Sequence, residues 1–318
     1  MGSSPYIDPQ MIPLLDAMKE RMAARASMME ISPQEMRARA TADFAIWNGE
    51  PPELPRIENF DIPGPFGRTR IRLYDPSADI TSLHPVLVYF HGGGWVIGNL
   101  EMEDRSLRQL ALASGCAIAS VDYVLAPEHK FPAPVTDCMS AVRWLMQNGK
   151  DLGLDSARLG IGGASAGANL AMATALSLKD EDQLTAQFLL FFYGVFSGSA
   201  DSPSYRQFGN GDYGLGQEQM EFFLSLYLRK PEEKLHPMVS PLAADLSGLP
   251  PVFLSIAGLD PLRDDSRRLA EKLRMANIPV QVCEYDGVIH GFTLMGRALD
   301  AANVALEDAG AALRTGLG

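Results

Sequence analysis

The residues best suited to chemistry form the run Gly163-Ala164-Ser165-Ala166-Gly167, which follows the apolar run Leu159–Gly163 and precedes an Ala- and Leu-rich stretch. A serine hydroxyl is a weak nucleophile until a base accepts its proton. A G-x-S-x-G turn between a strand and a helix lifts that hydroxyl to the helix N-terminus above the carboxyl edge of a sheet, and glycines are needed because side chains would clash in so tight a turn. The same residues overlap a G-x-G-x-x-G pattern, Gly160 to Ser165. Its third small position falls on Ser165 and it lies outside the first strand–helix unit, so it carries no dinucleotide reading.

A second run, His91-Gly92-Gly93-Gly94-Trp95, directly follows the apolar Val86–Phe90. Acyl transfer builds negative charge on a carbonyl oxygen, and bare backbone N–H groups can wait where it develops. In loops of this type the donors come from the glycines and from the residue after the nucleophile, here Ala166. The base must follow Ser165, in the order Ser, acid, His. Of the five histidines, His84, His91 and His129 precede it, and His236 lies far from any strand end, in Lys234–Pro237. His290, in Gly287–Phe292 after the last strand, is the better base. The acid should also follow a strand, as Asp260 does after Val252–Ala257. Its rivals are Asp264 and Asp265, at a helix start where acidic residues are ordinarily favoured, and Asp286, in the loop of the histidine. The histidines are scattered, no HExxH occurs and no acidic cluster has ligand spacing, so neither a metal nor another cofactor is required.

Those groups must be held by strands and helices, and the chain supplies both. Apolar runs at 86–90, 117–121, 159–163, 187–193, 252–257 and 280–285 alternate with helical patterns at about 103–113, 134–148, 167–179, 264–276 and 298–314. Continuous apolar strands between amphipathic helices predict an α/β fold with a mostly parallel sheet covered on both faces. Residues 57–63 and 69–75 read as a hairpin turning at Gly64–Gly67, after a Pro-rich linker at 51–55. Residues 8–45 read as helical, with Ile12, Leu15, Met18 and Met22 on one apolar face. The interval 197–245 breaks the alternation and holds a helix-like run, Gln217–Leu228. Together with the N-terminal helices it is expected to cap the sheet. The expected division is residues 1–50 and 197–245 as cap, with 51–196 and 246–318 as core.

The composition sets the remaining bounds. A net charge of −12 over 318 residues argues against nucleic acid or an anionic membrane as partner. Cys116, Cys138 and Cys283 have no regular spacing and form no CxxC motif, which favours a reducing cytosol over a disulfide framework. No apolar run reaches spanning length. The Met1-Gly2 start lacks the Ser or Thr that myristoylation needs, having Tyr6 at that position.

With these blocks assembled, residues 55–318 resemble the hormone-sensitive lipase family of carboxylesterases, including its bacterial members. The resemblance rests on His91–Trp95, Asp122–His129 with Phe131–Pro134, Gly163–Gly167, Asp260–Asp264 and His290–Phe292, in that order. It implies an eight-stranded α/β-hydrolase core with a helical cap, a Ser165–His290–Asp260 triad, and oxyanion donors from Gly92, Gly93 and Ala166. It also implies esters of short to medium acyl chains as substrates, and a homodimer paired through strand 280–285. Ala164 stands where the family usually has Asp or Thr, and Val124 where Arg is common. An amidase would use the same triad, and a receptor built on this fold would lack His290. Met22, Phe222, Phe223 and Tyr227 are expected to wall the substrate pocket, with Trp95, Phe196 and Leu262 as the walls offered by core loops.

Overall fold

The structure, a computed structural model, describes residues 5–318, so the Met1-Gly2 start lies outside the described residues. Its centre is an eight-stranded sheet: β1 (Arg56–Gly64), β2 (Gly67–Asp75), β3 (His84–Phe90), β4 (Ala117–Asp122), β5 (Leu154–Ala164), β6 (Phe188–Phe192), β7 (Val252–Leu259) and β8 (Val280–Ile289). The spatial order is β1-β2-β4-β3-β5-β6-β7-β8. The expected hairpin is present, with Gly64 opposite Gly67, and β2 also runs antiparallel to β4. All other pairings are parallel.

Side chains alternate across the sheet with the period of two that strand geometry imposes. In β3, Val86, Val88 and Phe90 enter one core, while Leu87 and Tyr89 enter the other. Helices α3 (Asp104–Ser114) and α9 (Asp300–Leu317) cover the second face. Helices α4 (Ala133–Asn148), α5 (Ala166–Asp180) and α8 (Arg263–Met275) cover the first. Continuous apolar strands are the sequence signal for this two-sided burial, and β7 is buried at every position.

Connectivity locates the site. From β3 the chain moves to β4 on one side, then crosses back to β5 on the other. Loops leaving the carboxyl ends of β3 and β5 therefore splay apart, and such a switch point is where open α/β sheets bind ligands. The loop after β3 begins at His91, and Ser165 follows β5 directly. Small residues let these two ends meet: a Cβ on Gly163 would come within 2.5 Å of the Phe90 carbonyl oxygen, and one on Gly167 within 2.0 Å.

The N-terminal helical region differs from the single stretch expected over 8–45. It is two helices, α1 (Met11–Ala23) and α2 (Pro33–Asn48), separated by a 3-10 turn at Met28–Glu30. Two capping boxes start the new segments, Ser27 with Glu30 and Ser32 with Glu35, and Pro33 opens α2. Each satisfies helix-end N–H groups reciprocally and so fixes a boundary. The buried face of α1 is Met11, Leu14 and Leu15, whereas Ile12 and Met22 are exposed. The interval 197–245 holds the expected α7 (Gln217–Tyr227) and also the short α6 (Pro203–Phe208), which is too brief to show a helical period in the sequence. Among the described residues no helix is long and apolar enough to cross a membrane.

Candidate active site

Ser165 sits between β5 and α5 at φ 54° and ψ −119°, a backbone region costly for a residue with a side chain. Its surroundings hold it there: its N–H donates to the Phe192 carbonyl, and its own carbonyl accepts from Asn169 and Val195. The Ser165 Oγ lies 2.8 Å from His290 Nε2, and His290 Nδ1 lies 2.8 Å from Asp260 Oδ2. The other Asp260 oxygen accepts the Leu262 N–H at 2.8 Å. Because a carboxylate only accepts, Nδ1 carries the proton and Nε2 is left to accept from the serine hydroxyl. Tyr193 packs its ring edge-on against the imidazole, with centroids 4.9 Å apart, and its hydroxyl is hydrogen-bonded to Thr293. All three groups leave strand ends: β5, β7 and β8 finish at residues 164, 259 and 289.

The rival acids are engaged elsewhere. Asp265 is buried and accepts the N–H groups of Phe196 and Ser197, and Asp264 accepts that of Ser204. Asp286 is exposed within β8. His236 accepts the Met238 N–H and packs on Phe131.

The glycine loop departs from expectation at one position. The Gly92 N–H donates to Glu103 Oε1 at 2.8 Å, so it is already engaged. Among the described residues, the N–H groups of Gly93, Gly94 and Ala166 have no protein acceptor. Gly93 and Gly94 take φ of +121° and +57°, which turns this loop beside Ser165. A Cβ on Gly94 would fall 2.4 Å from the Phe223 ring, so α7 closes directly over it. Tyr123 supports the loop from behind: its hydroxyl donates to the His91 carbonyl at 2.8 Å, and its ring stacks on the His91 imidazole. Burial lowers the His91 pKa. From the N-terminal helices, Arg37 of α2 donates to the carbonyls of Val96 and Ala126, both at 2.9 Å, and pairs with Glu128 at 2.6 Å. The Asp122–His129 block thus braces the loop rather than touching the nucleophile.

A cleft of about 930 Å³ opens over Ser165 and His290. Met22 and Phe223 line it as expected. The other expected wall residues do not. Trp95 and Tyr227 are fully buried and stacked on each other, with centroids 4.6 Å apart and planes within 2°. Phe196 and Leu262 are core residues, and Phe222 packs against the core from outside the cleft. The walls missed in the sequence include Phe44, Trp47, Met220, Tyr193 and Met295. Tyr193 had a signal, since it directly follows β6. Among the described residues no three His, Cys, Asp or Glu side chains group as a metal site, and all three cysteines are free.

A family model described as the alpha/beta hydrolase fold matches residues 87–294. An acetyl esterase of Salmonella choleraesuis (strain SC-B67) is 34% identical over 266 residues, 83% of this chain and 81% of that protein. An ester-hydrolase from the metagenome of Lake Arreo, solved with a derivative of bipyridine phosphonate, is 35% identical with a TM-score of 0.94, covering 98% and 99% of the two chains. An esterase of Pyrobaculum calidifontis is 33% identical with a TM-score of 0.89, over 98% and 99%. The chain therefore belongs to the alpha/beta hydrolase family, in the hormone-sensitive lipase branch of bacterial-type esterases.

Proposed function

We propose that the protein is a serine carboxylesterase that hydrolyses esters of short to medium acyl chain through an acyl-enzyme on Ser165. One observation carries the reading: the unbroken path Ser165 Oγ–His290–Asp260, at 2.8 Å for each contact, beside backbone N–H groups with no protein partner. His290 takes the hydroxyl proton as the oxygen attacks the ester carbonyl, and Asp260 stabilises the imidazolium. Charge on the carbonyl oxygen is received by the N–H groups of Gly93, Gly94 and Ala166. His290 then gives its proton to the departing alkoxide. Water, deprotonated by the same imidazole, attacks the acyl-enzyme and frees the acid and Ser165.

Residues 1–50 and 197–245 act in this reading as a cap that shapes substrate choice, over a core of 51–196 and 246–318. The relatives named above are acetyl and other esterases, which supports the reaction class. β8 ends the sheet, with β7 as its one neighbour, so its outer edge is open to pairing with a second copy through residues 280–285. A cytosolic setting suits the three free cysteines. The test is a rapid-mix assay with p-nitrophenyl acetate and mass analysis of the quenched protein. A burst of nitrophenolate with one acetyl group on the Ser165 peptide is expected. Acetyl on another residue, or turnover with no burst when deacylation limits, overturns the assignment. A matched anilide measures how far the same machinery acts on amides.

A further inference from the structure

We propose that Glu103 is a positioning residue for the oxyanion donors, its buried carboxyl fixing the first glycine of the loop so that the next two present their N–H groups. The inference rests on the esterase reading. Glu103 immediately precedes α3, in the place from which a side chain ordinarily turns back to cap the helix. It makes no such cap. Its side chain runs instead to the carboxyl edge of the sheet, where Oε1 accepts the Gly92 N–H at 2.8 Å and Oε2 accepts the Tyr89 hydroxyl at 2.6 Å. The residue is 2% exposed, yet it lines the cleft that holds Ser165. A methyl group placed on Gly92 would be 3.7 Å from Oε1 and 3.5 Å from the Ser165 Cβ, so one small group separates the carboxyl from the nucleophile.

Burying a carboxyl is costly unless its hydrogen bonds are made. The titratable groups facing it are Tyr89 of β3, Tyr123 after β4 and Tyr193 after β6, and burial raises the pKa of each. Among the described residues no cation offsets the burial, which pushes Glu103 up to about 7 against the opposing effect of its two hydrogen bonds. An apolar residue here would satisfy packing without that cost, but it would release the Gly92 N–H. Of the three glycine N–H groups in the loop, Glu103 takes the first. With that peptide plane fixed and Gly93 and Gly94 held at positive φ, the loop has little freedom to turn its remaining donors away. Preorganised donors stabilise a transition state because they need not reorient as charge forms.

The test compares Glu103→Ala, Glu103→Gln and Glu103→Asp on p-nitrophenyl acetate, with affinity for a trifluoromethyl ketone that forms a hemiketal on a catalytic serine. Glu103→Ala should lower kcat by roughly 10²-fold, the scale of a misplacement of about 1 Å, with KM little changed. Its affinity for the ketone should fall in step with kcat/KM, while inhibition by the free alcohol product is unmoved. Glu103→Gln retains a carbonyl acceptor for Gly92 and an amide donor for the Tyr89 oxygen, so it should recover most of the rate. Glu103→Asp withdraws the acceptor by one methylene and should be slower than Glu103→Gln despite keeping the charge. That ordering decides the matter even where Glu103→Ala fails to fold. Parental kcat and ketone affinity in Glu103→Asp, or equal losses in Asp and Gln, overturn the proposal. If the parent gives no acyl burst, the esterase reading falls and this one with it; if the parent bursts and the variants match it, only Glu103 is misassigned.

Discussion

Replacing Asp265 by asparagine isolates one buried carboxyl that serves the frame of the site. Asp265 stands in the first turn of α8, five residues after Asp260, and Oδ2 accepts the N–H groups of Phe196 and Ser197 at 3.0 and 2.8 Å. It thereby ties the segment after β6 to the segment that carries Asp260. Oδ1 is buried with no partner. Desolvation outweighs the two hydrogen bonds and raises its pKa to about 7, against ~3.9 for an unfolded aspartate. Between those two values the folded protein holds a proton that the unfolded chain releases. Its contribution to stability is therefore complete below about pH 4 and is lost as pH rises through about 7. At about 1.4 kcal/mol per unit, roughly two units of this window lie between about pH 5 and pH 8.5, and the loss there is on the order of 3 kcal/mol. The asparagine side chain cannot ionise, so the difference between parent and variant reports chiefly the titration of Asp265. Urea unfolding at several pH values should show Asp265→Asn less stable at pH 5, because its amide leaves donors unpaired, and gaining on the parent by about 3 kcal/mol at pH 8.5. Parallel stability curves for the two proteins would refute the reasoning.

Ser165→Ala should lose on the order of 10⁴ to 10⁶ of the turnover with no change in circular dichroism, and normal activity in that variant would remove Ser165 from the mechanism. Phe223→Ala and Met220→Ala widen the cleft, and a change of fit by one methylene is worth roughly 1–3 kcal/mol, so the ratio of hexanoate to acetate hydrolysis should shift about tenfold in at least one of them. Tyr227→Ala opens a void in the stack on Trp95 instead; it should cost about 3–5 kcal/mol of stability while the folded fraction keeps the parental ratio. Dialysis against a chelator should leave activity intact, and a loss restored by a divalent ion would show a metal requirement.

The triad is legible in the sequence because its logic is local. The stop of an apolar run marks the neighbourhood of a strand end, and Ser165 and Asp260 follow such stops within three residues; β8 runs four residues past its apolar run, to Ile289, before His290 leaves it. The oxyanion loop is legible only in outline. Gly92 looks equivalent to its neighbours, because nothing in the run reveals that Glu103, eleven residues on, turns away from its own helix to take that N–H. The pocket walls are the least readable. Trp95 has a positive φ of 62°, which accompanies its burial flat against Tyr227. Whether an aromatic ring lines a cleft or fills the layer behind it depends on one dihedral and on the height of a distant helix. Similarly, Leu15 and Met18 of α1 pack inward as their spacing suggests, but Met11 and Leu14 join them while Ile12 stays exposed, since both Met11 and Ile12 start plausible apolar faces and only docking selects between them.

The grip of Arg37 on the oxyanion loop divides the roof into two mechanical parts. One guanidinium, on α2, bonds the carbonyl of Val96 in the loop and that of Ala126, whose N–H donates to the Trp95 carbonyl. α2 cannot lift without pulling on the residues that hold the donors, so it behaves as a fixed beam rather than a door. Among the described residues, the chain ahead of it has no hydrogen bond into the loop. Arg21 and Arg25 of that stretch reach Asp43, on α2 itself, while Lys19 pairs with Asp212 and Gln10 with Asp300. The turn between the two helices, which lines the cleft with residues 25 to 29, therefore stands apart from the donor pocket, and a change of shape at that entrance leaves the donors assembled.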